Sequence, residues 1–144
     1  MVKRFTKITK NKKMKKTNKY INRIGRILFS LIFIASGISK IGDWQKTIGY
    51  MESHHMIFIP FFLIMAILLQ VLGGLSIIIN YKTKVGILLL LVFLIPATFI
   101  FHNFWSLPTE TEIEMINQQY EMVSFLKNIT IIGALLLLFE NENK

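Results

Sequence analysis

The sequence predicts an all-α protein, an antiparallel bundle of four transmembrane helices, and three observations predict it. The chain has 144 residues, 53% of them hydrophobic, with a positive mean hydropathy gathered into four apolar runs. Two runs, 60–81 and 85–104, carry no charged side chain and match the roughly 20 helical residues that cross a bilayer core of about 30 Å. The cations are polarised, with 11 of the 17 Lys and Arg between Lys3 and Arg26. A closed barrel is the other way to satisfy backbone polar groups in lipid, and continuous apolar runs without alternation exclude it.

Taken in order, residues 1–20 are too polar and too like-charged to bury a face, which predicts a disordered basic tail with Met14 as a second candidate start. The first span, about 22–42, follows this basic stretch as a signal peptide would. No small-x-small cleavage site comes after it, only Lys40-Ile41-Gly42-Asp43-Trp44, so it stays as an anchor. Asp43 is placed to cap a short amphipathic helix whose Trp44, Ile48 and Met51 share one apolar face that lies on the membrane. Spans 60–81 and 85–104 are separated only by the turn around Tyr81-Lys82-Thr83-Lys84, which predicts a tight antiparallel hairpin. Beyond Pro108, Thr109-Glu110-Thr111-Glu112 has capping-box spacing, and a helix starting there runs on into the fourth span, 122–139. The membrane domain is therefore 21–140, and 141–144 form a second short tail. Lys40 and Lys127 end the two outer spans, where long stems can reach the interface.

An even number of spans puts both termini on one side. That side carries 14 Lys and Arg against three opposite, Lys40, Lys46 and Lys127, which places both termini in the cytoplasm. A basic tail beside apolar spans fits the anionic cytoplasmic leaflet as its partner, at about 1 kcal/mol per cation, and not a nucleic acid. The chain has no cysteine, so a thiolate metal site, a disulfide relay and an iron-sulfur centre are all excluded.

Each span carries a small or polar stripe at helical spacing. Phe33, Ser36, Gly37 and Lys40 share a face of the first; Ala66, Gln70, Gly73 and Ile77 of the second; Thr98, His102 and Trp105 of the third. In the fourth, Ser124, Lys127 and Asn128 cluster at the outer end. The bland account is that glycines and amides only pack and hydrogen-bond helices to one another. Lys40, His102 and Lys127 go further, because three potential cations in one layer repel unless Asp43, the loop glutamates or a ligand offset them. Imidazole exchanges a proton near neutral pH, and Trp105 offers a flat apolar surface beside it. The candidate pocket is therefore Lys40, Gln70, His102, Trp105, Lys127 and Asn128, with no metal: His54 and His55 are adjacent in a loop, and no ligand pair has helical spacing. Neither a phosphate-cradling loop nor a serine-nucleophile motif is present.

The pieces Phe33-Ile34-Ala35-Ser36-Gly37-Ile38-Ser39-Lys40, Leu72-Gly73-Gly74-Leu75, Ala97-Thr98-Phe99-Ile100-Phe101-His102-Asn103-Phe104-Trp105 and Phe125-Leu126-Lys127-Asn128 come in that order, one to a span. With Arg26-Ile27-Leu28-Phe29 ahead of them, they resemble the DoxX family of small bacterial membrane proteins over about residues 22–139. The resemblance implies a four-helix protein of the cytoplasmic (inner) membrane, associated with quinone-linked oxidoreductase assemblies. Members often carry Glu where this chain has Gln70, so proton handling by that carboxylate is not open to it. Three functions follow as expectations. The first is a redox-accessory protein with an outer-facing pocket for a quinone-like molecule, acting with other membrane redox proteins or as a homo-oligomer. The others are a non-catalytic scaffold or assembly factor and a small-molecule transporter.

Overall fold

The computed structural model describes the backbone of residues 2–142 and the side chains of residues 19–142. Five α-helices make up the described chain: α1 (Val2–Gly42), α2 (Trp44–Ser53), α3 (Ile59–Ile78), α4 (Thr83–Phe101) and α5 (Glu112–Asn141), with a 3-10 turn at Phe104–Ser106. Four helical stretches are long and apolar enough to cross a membrane, in α1, α3, α4 and α5. For α1 that stretch is Lys19–Gly42. Where a disordered tail was expected over 1–20, the backbone is helical back to Val2. No glycine or proline interrupts residues 2–24, and lysine is a good helix former. The side chains of residues 1–18, and residues 143–144 of the second expected tail, lie outside the described residues.

The helices form a row, α1 on α3, α3 on α4 and α4 on α5, with α2 leaning on α3 and α1. Their shared core is Phe33, Ile77, Ile87, Leu90, Leu94 and Leu135. Outward faces stay apolar, with Phe61, Leu68, Val92 and Leu137 exposed. Apolar surface of that extent fits lipid, not water.

The α3–α4 hairpin is closest at two glycines. A Cβ on Gly86 would sit 2.6 Å from the Ser76 side chain and 2.9 Å from the Gly73 carbonyl oxygen, so only glycine lets these backbones meet. The turn is as tight as expected. Asn80 and Lys82 adopt left-handed φ of 56° and 49°, and the Ser76 hydroxyl donates to the Tyr81 carbonyl at 2.6 Å.

Three local expectations are corrected. Asp43 makes no side-chain cap, because its backbone (φ −98°, ψ 36°) is outside the extended region a cap needs; instead its carbonyl accepts from the Thr47 amide. The capping box of α5 lies two residues further on than Thr109–Glu112. There the Thr111 hydroxyl accepts from the Glu114 amide, and the Glu114 carboxylate accepts from the Thr111 amide at 3.0 Å. From that box α5 runs unbroken through the fourth span, as expected. Finally, α4 stops at Phe101 and not at Phe104, with His102 as its C-cap.

Candidate functional site

At one end of the bundle the Arg26 guanidinium of α1 pairs with the Glu142 carboxylate after α5. At the far end, α1, α3, α4 and α5 surround a cavity of about 320 Å³. Helix α2 lies over it: Thr47, Tyr50 and Met51 project from one side at i, i+3 and i+4, and Met51 is buried. Of the apolar face expected from the sequence, Trp44, Ile48 and Met51, only Met51 lines the cavity.

The cavity gathers Lys40, Gln70, His102, Lys127 and Asn128 from four helical segments, five of the six residues singled out in the sequence. The lysine ammonium donates to the Ser36 hydroxyl oxygen at 2.8 Å and to the Ser36 carbonyl at 3.1 Å, one helical turn back. The Gln70 amide donates to the same hydroxyl oxygen at 3.2 Å, which ties α3 to α1. Gln70 is only 3% exposed, and its carbonyl oxygen Oε1 has no hydrogen-bond partner. A buried acceptor left in that condition costs about 1–3 kcal/mol unless something supplies a donor. Asn128, also buried, lines the same cavity, as does the exposed Lys127.

His102 meets a partner the sequence did not pair with it. Its Nδ1 lies 2.6 Å from the Glu121 carboxylate on α5, with both side chains about a quarter to a third exposed. A carboxylate facing one imidazole nitrogen orients the ring and leaves the other nitrogen available for proton exchange. Next to the pair, the Tyr50 ring stacks on Phe101 at 5.4 Å and edges His54 at 4.6 Å. Burial, and then the Glu121 charge, push the Tyr50 phenol above its ordinary pKa. Among the described residues no cluster of three His, Cys, Asp or Glu exists, so this pair alone does not make a metal centre.

Trp105 is the exception to the expected pocket. It is 56% exposed, absent from the cavity wall, and packs its ring at 5.2–5.6 Å against Phe104 and Phe125. The predicted i, i+4, i+7 stripe requires the helix to continue past His102. Because α4 ends at Phe101, Trp105 enters a separate 3-10 turn and swings outward. Sequence reasoning passed over Tyr50 and Glu121 as site residues. Tyr50 was detectable from its i, i+3 spacing after Thr47 on α2, and Glu121 as the last acid before an apolar run.

The DoxX family model matches residues 21–103, and the SURF4 family model matches residues 74–142. Inner membrane protein YqjF of Escherichia coli (strain K12) is 33% identical over 116 residues, covering 80% of this chain and 78% of the relative. Inner membrane protein YphA of the same organism is 28% identical over 115 residues, again covering 80% of this chain and 78% of the relative. No solved structure matches. With the longer model match spanning more than half the chain, and YqjF 33% identical over 80% of it, this four-helix inner-membrane protein belongs to the DoxX family.

Proposed function

We propose that this protein is an accessory of a membrane redox system, and that its far-end cavity binds the head of a quinone-like molecule. The observation that carries the reading is that Lys40, Ser36 and Gln70 line one cavity inside an otherwise apolar bundle, with the buried Gln70 Oε1 left without a hydrogen-bond partner. A paired-carbonyl head would supply two-electron chemistry with coupled protons. The chain's own residues have separate tasks. Lys40 and Lys127 donate hydrogen bonds to carbonyl oxygens, and Gln70 Oε1 accepts from a hydroxyl. His102, held by Glu121, exchanges the proton with water at the rim. The excess of cations near the termini supports an orientation with both termini in the cytoplasm and the cavity facing outward.

Purified protein in lipid nanodiscs should bind a short-chain ubiquinone analogue saturably. His102→Ala and Lys127→Ala should each weaken that binding about tenfold, the worth of one charge-assisted hydrogen bond. Unchanged binding in both variants would sink the reading. A second reading, a non-catalytic scaffold, is favoured by one observation: Lys40 and Gln70 both direct donors at Ser36, an intramolecular use. On that reading, replacing Lys40 and His102 together lowers folded yield and leaves no binding activity to lose.

A further inference from the structure

We infer that the cavity is reached sideways from the lipid, through a gap between α1 and α5, and that the gap holds the apolar tail of the same molecule whose head occupies the polar layer. The inference rests on the pocket reading above and adds the class of ligand: a membrane-dissolved amphiphile with a compact polar head and one flexible apolar tail.

The row of helices does not close on itself. Helix α1 packs on α3 and α5 on α4, yet among the described residues no Cα of α1 comes within 8 Å of one in α5. Side chains alone bridge the two, and they do so unevenly along the axis. Toward the termini the gap is shut, first by Phe33 and Leu135, at 3% and 0% exposure, and at the end by the Arg26–Glu142 pair. Above Phe33 it is open. Ile32 and Ile131 both line the cavity there, and Ile32 is 48% exposed, where Phe33 one residue on is 3% exposed.

Depth decides what surrounds the opening. Ile32 lies eight residues before Lys40, about 12 Å nearer the termini along the helix axis. That places it well inside the span Lys19–Gly42, beside hydrocarbon and not water. A wholly water-soluble ligand has no use for an opening there. A molecule dissolved in the bilayer can slide its head up past Ile32 and Ile131 to Gln70 Oε1 and Lys40, leaving its tail in the gap with Phe33 as the floor. The buried orphan oxygen is what gives the head a reason to stop, because it gains a donor only when something with a hydroxyl or amide arrives.

The wild-type protein in phospholipid nanodiscs tests this with two probes kept reduced, a dimethoxybenzohydroquinone, whose hydroxyls can donate to Gln70 Oε1, bearing a decyl tail that ends in a diazirine, and the same head without a tail. With concentrations referred to the membrane phase, the tailed probe should bind about tenfold more tightly. Irradiation should label α1 near Ile32 and α5 near Ile131, and excess head-only compound should suppress the labelling. Equal affinity for the two probes, with label scattered over lipid-facing residues such as Phe61 and Leu88, would show an ordinary lipid chain in the gap and overturn the lateral route while leaving the pocket standing. No saturable binding of either probe would overturn the pocket reading itself and the route with it.

Discussion

The two ends of this bundle are built from the same four helices and solve opposite problems. Near the termini, α3 and α4 meet glycine to glycine, the Ser76 hydroxyl pins the turn, and Arg26 and Glu142 join the first and last helices. At the far end α1 and α5 stand apart around a cavity, an amide oxygen is left without a donor, and a lysine is satisfied by its own helix. Each end buries one unpartnered polar atom, Ser30 Oγ toward the closed end and Gln70 Oε1 toward the far end, and only the second belongs to a residue lining the cavity. That asymmetry is the reason to place function at the far end, since stability is concentrated where the cavity is not.

Breaking the closed end should cost most. Gly86→Leu drives a side chain into Ser76 and the Gly73 backbone, which cannot retreat, so a loss of about 3 kcal/mol or more is expected, read as lower folded yield and melting temperature in detergent. Gly133→Leu is the matched control: nothing lies within 4 Å of its Cβ position, and the change should stay within about 0.5 kcal/mol. Next in size, Arg26→Met strands the Glu142 carboxylate in a site where the two side chains are 11% and 22% exposed. The expected cost is about 1–3 kcal/mol, below that of a fully buried pair, with probe binding at the far end unchanged. If Arg26→Met abolished binding while the protein stayed folded, the two ends would not be separable, and the comparison would fail.

How much of this was legible follows the same division. The four spans, the tight hairpin and the run of α5 into the membrane could be read because lipid imposes one rule along the whole chain, about 20 apolar residues per crossing. Lys40, Gln70, His102, Lys127 and Asn128 could be read because a polar side chain in such a run stands out against its neighbours, and the structure gathers all five at one cavity. Trp105 was misplaced because helix ends are set by local caps, and nothing in Phe101-His102-Asn103 marks the stop as glycine or proline would. The His102–Glu121 pair was unreadable for a different reason. It joins residues 19 apart across a loop whose path depends on ring contacts among Phe99, Phe104, Trp105 and Phe125, a tertiary fact with no periodicity.

At the far end, substitutions should change binding more than stability, and this sharpens the comparison. Glu121→Gln leaves a neutral acceptor near His102 Nδ1 in a partly exposed pair, so its cost in folding is expected at about 1 kcal/mol or less. Its effect on the short-chain quinone analogue should be about threefold to tenfold, the worth of losing a carboxylate that orients the imidazole. An equal loss of stability and binding would assign the pair to closure, the role of Arg26 and Glu142.

The smallest expected effect is also the most local. Tyr50 is the group at the cavity mouth whose phenol is held above its ordinary pKa, by burial first and by the Glu121 charge second. The sign follows from proton counting. Between the unfolded value of about 10 and the higher folded value, the folded protein binds more protons than the unfolded chain. The contribution of Tyr50 to stability is therefore fully present below pH of about 10 and is lost as pH rises through the folded pKa. The difference in tyrosinate absorbance between wild type and Tyr50→Phe isolates this titration from the other three tyrosines. Glu121→Gln should move that difference curve to lower pH without returning it fully to the ordinary range, because the burial of the ring against Phe101 remains. A curve unmoved by Glu121→Gln would mean that the carboxylate does not face the mouth, and the link drawn between His102, Glu121 and Tyr50 would be lost with it.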